Sequence, residues 1–165
     1  MNQLTFSPTV RRIFGGLLLA GFLFTGSCKD HVNPGGPPFY NIDVTLTGAN
    51  NATGTVQFRQ LTDKPFTIFL ETAVQGLAPN TSYGLQRAVD TVIDGNCTGT
   101  AWLTLGKGLV AQAIVTDSQG AGSVSLFRDV SAFPSGTTFD INFRVINQQT
   151  SAVVLTSGCY QYTVR

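Results

Sequence analysis

What most constrains this chain is a period of two. Tyr40, Ile42, Val44 and Leu46 alternate with Asn41, Asp43 and Thr45, and Phe139, Ile141, Phe143 and Val145 alternate with Asp140, Asn142 and Arg144. Val56 and Phe58 alternate with Gln57 and Arg59. Ile68, Leu70 and Val74 share a face opposite Glu71 and Gln75, and Tyr160, Tyr162 and Val164 close the chain in the same way. Successive side chains of a strand point to opposite faces, so each pattern describes a strand with one dry and one wet face, as in an antiparallel sheet. No segment carries a sustained helical stripe with caps.

Between these stretches lie Ala49-Asn50-Asn51, Ala78-Pro79-Asn80, Asp94-Gly95-Asn96, Gly106-Lys107-Gly108, Asp117-Ser118-Gln119-Gly120 and Pro134-Ser135-Gly136, residues that set φ at a bend. Strands at roughly 8–14-residue spacing predict an all-β domain over 39–165, a single antiparallel Greek-key β-sandwich of about 7–9 strands. There is no internal repeat and no sign of a second domain.

The N-terminal segment reads differently. Arg11 and Arg12 precede the apolar run 13–24, which is too short for the roughly 20 residues of a spanning helix and suits the core of a secretion signal. Thr25-Gly26-Ser27 then leads to Cys28. This resembles the lipobox of bacterial lipoproteins, in which small residues precede a Cys that receives the lipid; Thr25 departs from the Leu usual at that position. The resemblance implies a cleaved signal peptide over 1–27, acylation of Cys28, and attachment to a membrane through that anchor. Lys29-Asp30 resembles an export signal that places lipoproteins on the outer face of the outer membrane. His31-Val32-Asn33-Pro34-Gly35-Gly36-Pro37-Pro38 reads as a semi-stiff spacer, making 28–38 a lipidated tether.

The chain has ten Lys or Arg and nine Asp or Glu; without Arg11 and Arg12 the remainder is 8 − 9, or −1. A near-neutral domain without basic clusters has no electrostatic footprint for nucleic acid. Three cysteines are present. With Cys28 taken by lipid, Cys97 and Cys159 are left to form a disulfide in an oxidising compartment.

Several short motifs resemble the copper/zinc superoxide dismutase fold: Gly54-Thr55-Val56-Gln57-Phe58, Gly76-Leu77-Ala78-Pro79-Asn80, Gly95-Asn96-Cys97-Thr98, Asp117-Ser118-Gln119-Gly120 and Gly158-Cys159-Tyr160. The resemblance implies a Greek-key scaffold, but its metal chemistry does not carry over. Where that family has its His-x-His pair this chain reads Ser82-Tyr83-Gly84-Leu85-Gln86-Arg87, and the sole His, His31, lies in the spacer. A copper site needs several imidazoles, so no metal and no cofactor is expected.

Catalytic groups are equally sparse. Asp90, Asp94, Asp117, Asp129 and Asp140 are dispersed in sequence, no Gly-x-Ser-x-Gly elbow occurs, and Ser118 or Ser135 with Lys107 has nothing to favour it. Phe39, Tyr83, Trp102, Phe127, Phe133 and Tyr160 could form a stacking platform for a glycan. Asn51, Asn80 and Asn96 begin glycosylation-type triplets, expected in Asn- and Thr-rich turns by chance. The sequence therefore predicts a non-enzymatic, lipid-anchored envelope module that binds or scaffolds, with an envelope protein or glycan as partner and no defined ligand site. Two alternatives stand beside it: an accessory or enzyme of envelope polysaccharide or redox metabolism, and a surface adhesin or assembly subunit.

Overall fold

The structure, a computed structural model, describes residues 40–165; the expected signal segment, Cys28, His31 and the spacer lie outside the described residues. Among the described residues the fold is all-β, with one short 3-10 turn at Ala49–Asn51. The strands are β1 (Asn41–Gly48), β2 (Thr53–Gln60), β3 (Thr67–Gln75), β4 (Ser82–Asp90), β5 (Leu103–Thr104), β6 (Gly106–Lys107), β7 (Val110–Ala111), β8 (Ala113–Val115), β9 (Gly122–Asp129), β10 (Thr138–Asn147), β11 (Val153–Ser157) and β12 (Tyr160–Thr163).

Alternation sets the architecture. Ile42, Val44 and Leu46 of β1, Val56 and Phe58 of β2, Ile68, Leu70 and Val74 of β3, and Ile141, Phe143 and Val145 of β10 all face one buried interior. The strands form one hydrogen-bonded sheet in the order β5-β4-β10-β11-β1-β2-β3-β9-β6-β7, with β12 extending the β11 side of β10 and β8 pairing with β4. A single sheet with one apolar face must curl to bury it. Here it curls until segment 103–115 touches both ends. β5 and β8 pair antiparallel with β4, while Lys107 pairs with Phe127 of β9, and the result is a nearly closed barrel.

That closing segment is not a continuous strand. Between β5 and β8 the chain leaves as the β6–β7 hairpin, whose base is held by the Gln112 amide donating to the Leu105 carbonyl at 3.4 Å. The tip is apolar and outside: Leu109 is 86 % exposed. The bend at Gly106-Lys107-Gly108 falls one step later than the sequence predicts. Gly106 and Lys107 are paired, and the turn is at Gly108 and Leu109.

Loop 91–102 follows β4 and folds back over the outer face of β4 and β10. Asp90 and Asp140 are direct neighbours across that ladder, and each accepts two backbone amides from the loop. Asp140 Oδ2 accepts from Asp94 (3.0 Å) and Gly95 (2.8 Å), and Asp90 Oδ2 accepts from Thr98 (2.6 Å) and Gly99 (2.8 Å). Cys97 and Cys159 have their sulfurs at bonding distance, 2.08 Å, with Cα atoms 5.3 Å apart. The bridge ties the middle of the loop to the start of β12.

Candidate ligand-binding cavity

At one end of the barrel the interior is not filled. A cavity of about 240 Å³ lies under the C-terminal ends of β4 and β9 and the N-terminal ends of β3 and β10. Its apolar wall is part aliphatic, with Ile68, Leu70 and Val89, and part aromatic: Phe58 meets Tyr162 edge-on at 4.7 Å and Phe143 at 6.1 Å, and Phe133 meets Phe139 edge-on at 5.3 Å. Phe133, 43 % exposed, forms part of the rim. The chain enters the barrel at this same end, because Asn41 opens β1 opposite Arg59 near the end of β2.

Two arginine side chains share the lining, Arg87 and Arg128. Period two explains why they are there. Arg87 follows Tyr83 and Leu85 in phase on β4, and Arg128 follows Val124 and Leu126 in phase on β9, so both side chains project to the apolar interior. In register Arg87 faces Phe143 of β10 and Arg128 faces Ile68 of β3, both of which also line the cavity. Arg128 Nη1 donates to the Gly108 carbonyl at 3.2 Å, so the β6–β7 hairpin helps to orient it. The Arg87 guanidinium has no such tether. Burial, and then the charge of Arg128, push its pKa below the ordinary arginine value.

Neither arginine has a carboxylate partner among the described residues, where the ion pair is Arg59 with Asp43. Asp129 adjoins Arg128 in sequence but sits on the outer, exposed phase of β9, where Oδ1 accepts the Ser131 amide at 2.7 Å. The two arginines beside the cavity are thus unneutralised, while the surface of the cavity itself is almost wholly apolar. Thr91, from the loop after β4, also borders the cavity. The Tyr162 hydroxyl donates to Gln60 Oε1 at 2.9 Å, and burial pushes its pKa well above the usual phenol range. Gln60 Oε1 also accepts the Arg165 amide at 2.6 Å, which pins the C-terminus beside the cavity.

Of the candidate site residues read from sequence, Phe133 borders the cavity and the other described ones lie elsewhere. Cys97 and Cys159 come together on the outer face. The six aromatics do not form one platform: Phe39 lies outside the described residues and Tyr83 is buried in the core, while Trp102 is covered by the Arg144 guanidinium at 4.0 Å on the outer face. Tyr160 packs against the core with its hydroxyl accepting the Thr45 amide at 3.1 Å, leaving Phe127 outside and Phe133 at the cavity rim. Glu71 accepts a hydrogen bond from Ser125 on the β3–β9 ladder, and no carboxylate lines the cavity. Among the described residues no three His, Cys, Asp or Glu side chains gather into a metal-holding group.

Two further hollows, of about 390 and 400 Å³, occupy the opposite end of the barrel and are lined by uncharged turn and strand-end residues. No family model matches this chain, and no curated protein matches it.

Proposed function

We propose that this protein is a non-enzymatic, lipid-anchored module of the bacterial cell envelope that binds a small apolar ligand in the cavity at the entry end of its barrel. The carrying observation is the cavity itself, a concave, almost wholly apolar pocket of aromatic and aliphatic side chains that two arginines also line, a form common to small-molecule sites. At about 240 Å³ it lies below the roughly 300–1,000 Å³ typical of drug-sized ligands, so the occupant is small. Binding fits better than catalysis, because the charged groups in the lining are guanidiniums, which hold an anion but exchange no proton near neutral pH.

The address rests on the lipobox-like segment ending at Cys28, with attachment on the outer membrane. On this reading the scaffold is a Greek-key sandwich related to the dismutase fold and carrying no metal. Its support is the strand order. Segment 103–115 pairs antiparallel with β4, and β10 returns by loop 130–137 to lie antiparallel beside β4, as the fourth strand of a Greek key does. The single Lys107–Phe127 bridge from that segment to β9 is parallel and departs from the pattern.

The test uses the mature protein purified from membranes into amphipol and titrated with the neutral dye N-phenyl-1-naphthylamine. Saturable binding in wild type that is lost in Val89→Phe, where a larger side chain fills the cavity, supports the proposal. Equal dye uptake by the two, with Val89→Phe correctly folded by near-ultraviolet dichroism, overturns it. Metabolic labelling with an alkynyl fatty acid, lost in Cys28→Ser, tests the anchor independently.

A further inference from the structure

We infer that the ligand is an amphiphilic carboxylate: its head lies between Arg87 and Arg128 and its apolar body lies against the aromatic wall. The inference rests on the cavity-binding reading and adds to it the charge and shape of the occupant.

The argument begins with what two arginines do on the apolar face of a strand. A charged side chain facing an apolar interior is unfavourable unless it is paired. Among the described residues Arg87 has no hydrogen bond or ion pair within the protein, and Arg128 holds one carbonyl. Two like charges in one lining raise the unfavourable energy further, and a single anion between them relieves both. Core-facing positions are ordinarily apolar, as Ile68 and Leu70 are on the neighbouring strand. Two guanidiniums in phase with such residues on separate strands therefore point to an occupant that the protein itself does not supply.

Geometry narrows the chemistry. The planar fork of arginine matches a carboxylate with two parallel hydrogen bonds. Because Gly108 already takes one of the Arg128 donors, that fork is oriented beside the cavity that both side chains line. The rest of the wall includes Phe58, Phe143 and Tyr162 with aliphatic neighbours such as Ile68 and Leu70, and the Tyr162 hydroxyl is committed to Gln60. A hydrophilic anion such as inorganic phosphate would leave that wall empty, and a neutral hydrocarbon would leave the cations unpaired. A short aromatic or medium-chain acid satisfies both halves and matches the small volume.

The experiment compares 4-phenylbutyrate with 4-phenylbutan-1-ol, two probes with the same apolar body and different heads, by ligand-observed NMR on the amphipol-held protein. The Val89→Phe protein in the same amphipol serves to subtract partitioning. Inorganic phosphate is the third probe. The expected result is that phenylbutyrate binds at least ten-fold more tightly than the alcohol and that phosphate binds more weakly than either. In Arg87→Gln/Arg128→Gln the preference for the acid disappears while the alcohol still binds, which also shows that the double variant is folded. Equal binding of acid and alcohol by wild type, or a preference that survives in the double variant, overturns the inference and leaves the cavity reading standing. Tighter binding of phosphate overturns it in favour of a purely ionic site. If neither organic probe nor the neutral dye binds, both the inference and the cavity reading fall.

Discussion

Arg87 lies at a conflict between stability and recognition. It projects from β4 toward apolar neighbours, and burial together with Arg128 disfavours its charged form. Arg87→Met keeps the length of the stem and removes the charge, so the unliganded protein is expected to melt higher, by a few °C. The same variant loses the preference for an acid over its alcohol. Thermal melts of ligand-free protein beside the probe titration check both halves, and a lower melting temperature would mean that the guanidinium stabilises the unliganded fold. Asp140 is the opposite case. It is 2 % exposed and its Oδ2 holds the amides of Asp94 and Gly95, so Asp140→Ala strands two donors and is expected to cost roughly 1–3 kcal/mol in urea unfolding. Asp140→Asn keeps an acceptor oxygen and should cost less.

At the scale of elements, the turn Asp117–Gly120 and loop 91–102 carry the main liabilities. Asp117 Oδ1 accepts the amides of Ala121 (3.0 Å) and Gln119 (2.8 Å), and these bonds, that to Ala121 foremost, hold its carboxyl below the usual range. A depressed folded-state pKa contributes stability in full above the ordinary carboxylate pKa and loses it as pH falls through the folded value. Unfolding midpoints should therefore drop on acidification below about pH 4, and Asp117→Asn should flatten that limb. A midpoint profile from pH 2.5 to 6 reads this directly. Gly120 in the same turn has φ +78°, and a Cβ there would come within 2.1 Å of the Leu77 carbonyl oxygen, so Gly120→Ala cannot be relieved by a rotamer change. The loop depends on the Cys97–Cys159 bridge across 62 residues. Replacing both by Ala is expected to lower stability by up to about 4 kcal/mol in the chain-entropy picture, measured as the shift in urea midpoint between oxidised wild type and the double variant.

Strands β1, β2 and β10 were legible in the sequence because polar residues separate their core-facing apolar ones, and a one-residue slip would turn Ile42, Val44 and Leu46 outward; β4 and β9, where Gly84 and Phe127 break the alternation, were not. The cysteine pair was legible because few thiols remain once Cys28 is assigned to the anchor. Segment 103–115 was not. It pairs with β4 in two pieces of two or three residues with a hairpin between, too short for any period to emerge. The cavity residues were legible in principle. Arg87 and Arg128 keep the phase of their apolar neighbours, and a cation in phase with a buried face is a stronger signal than an exposed aromatic. They do not stand out because isolated arginines on strands ordinarily occupy the wet face, as Arg59 and Arg144 do beside Asp43 and Trp102.

For the whole molecule, an unfilled barrel end and an unneutralised pair of cations make the ligand part of the fold's energetics. Anything that binds the native state alone stabilises it by about 2.7 kcal/mol at a hundred times its dissociation constant. For a single domain of this size that corresponds to a rise in melting temperature on the order of 10 °C. The rise should appear with phenylbutyrate in wild type and shrink in Arg87→Gln/Arg128→Gln at the same concentration. Disulfide and turn variants at the far side of the sheet should keep it, because Asp117 and Cys97 do not line the cavity. Calorimetric scans of the amphipol-held protein with and without the acid distinguish this linkage from general stabilisation by an anion, since sodium chloride at matched ionic strength should leave most of the shift unreproduced. A shift of equal size in the double variant would place the acid somewhere other than between the two arginines.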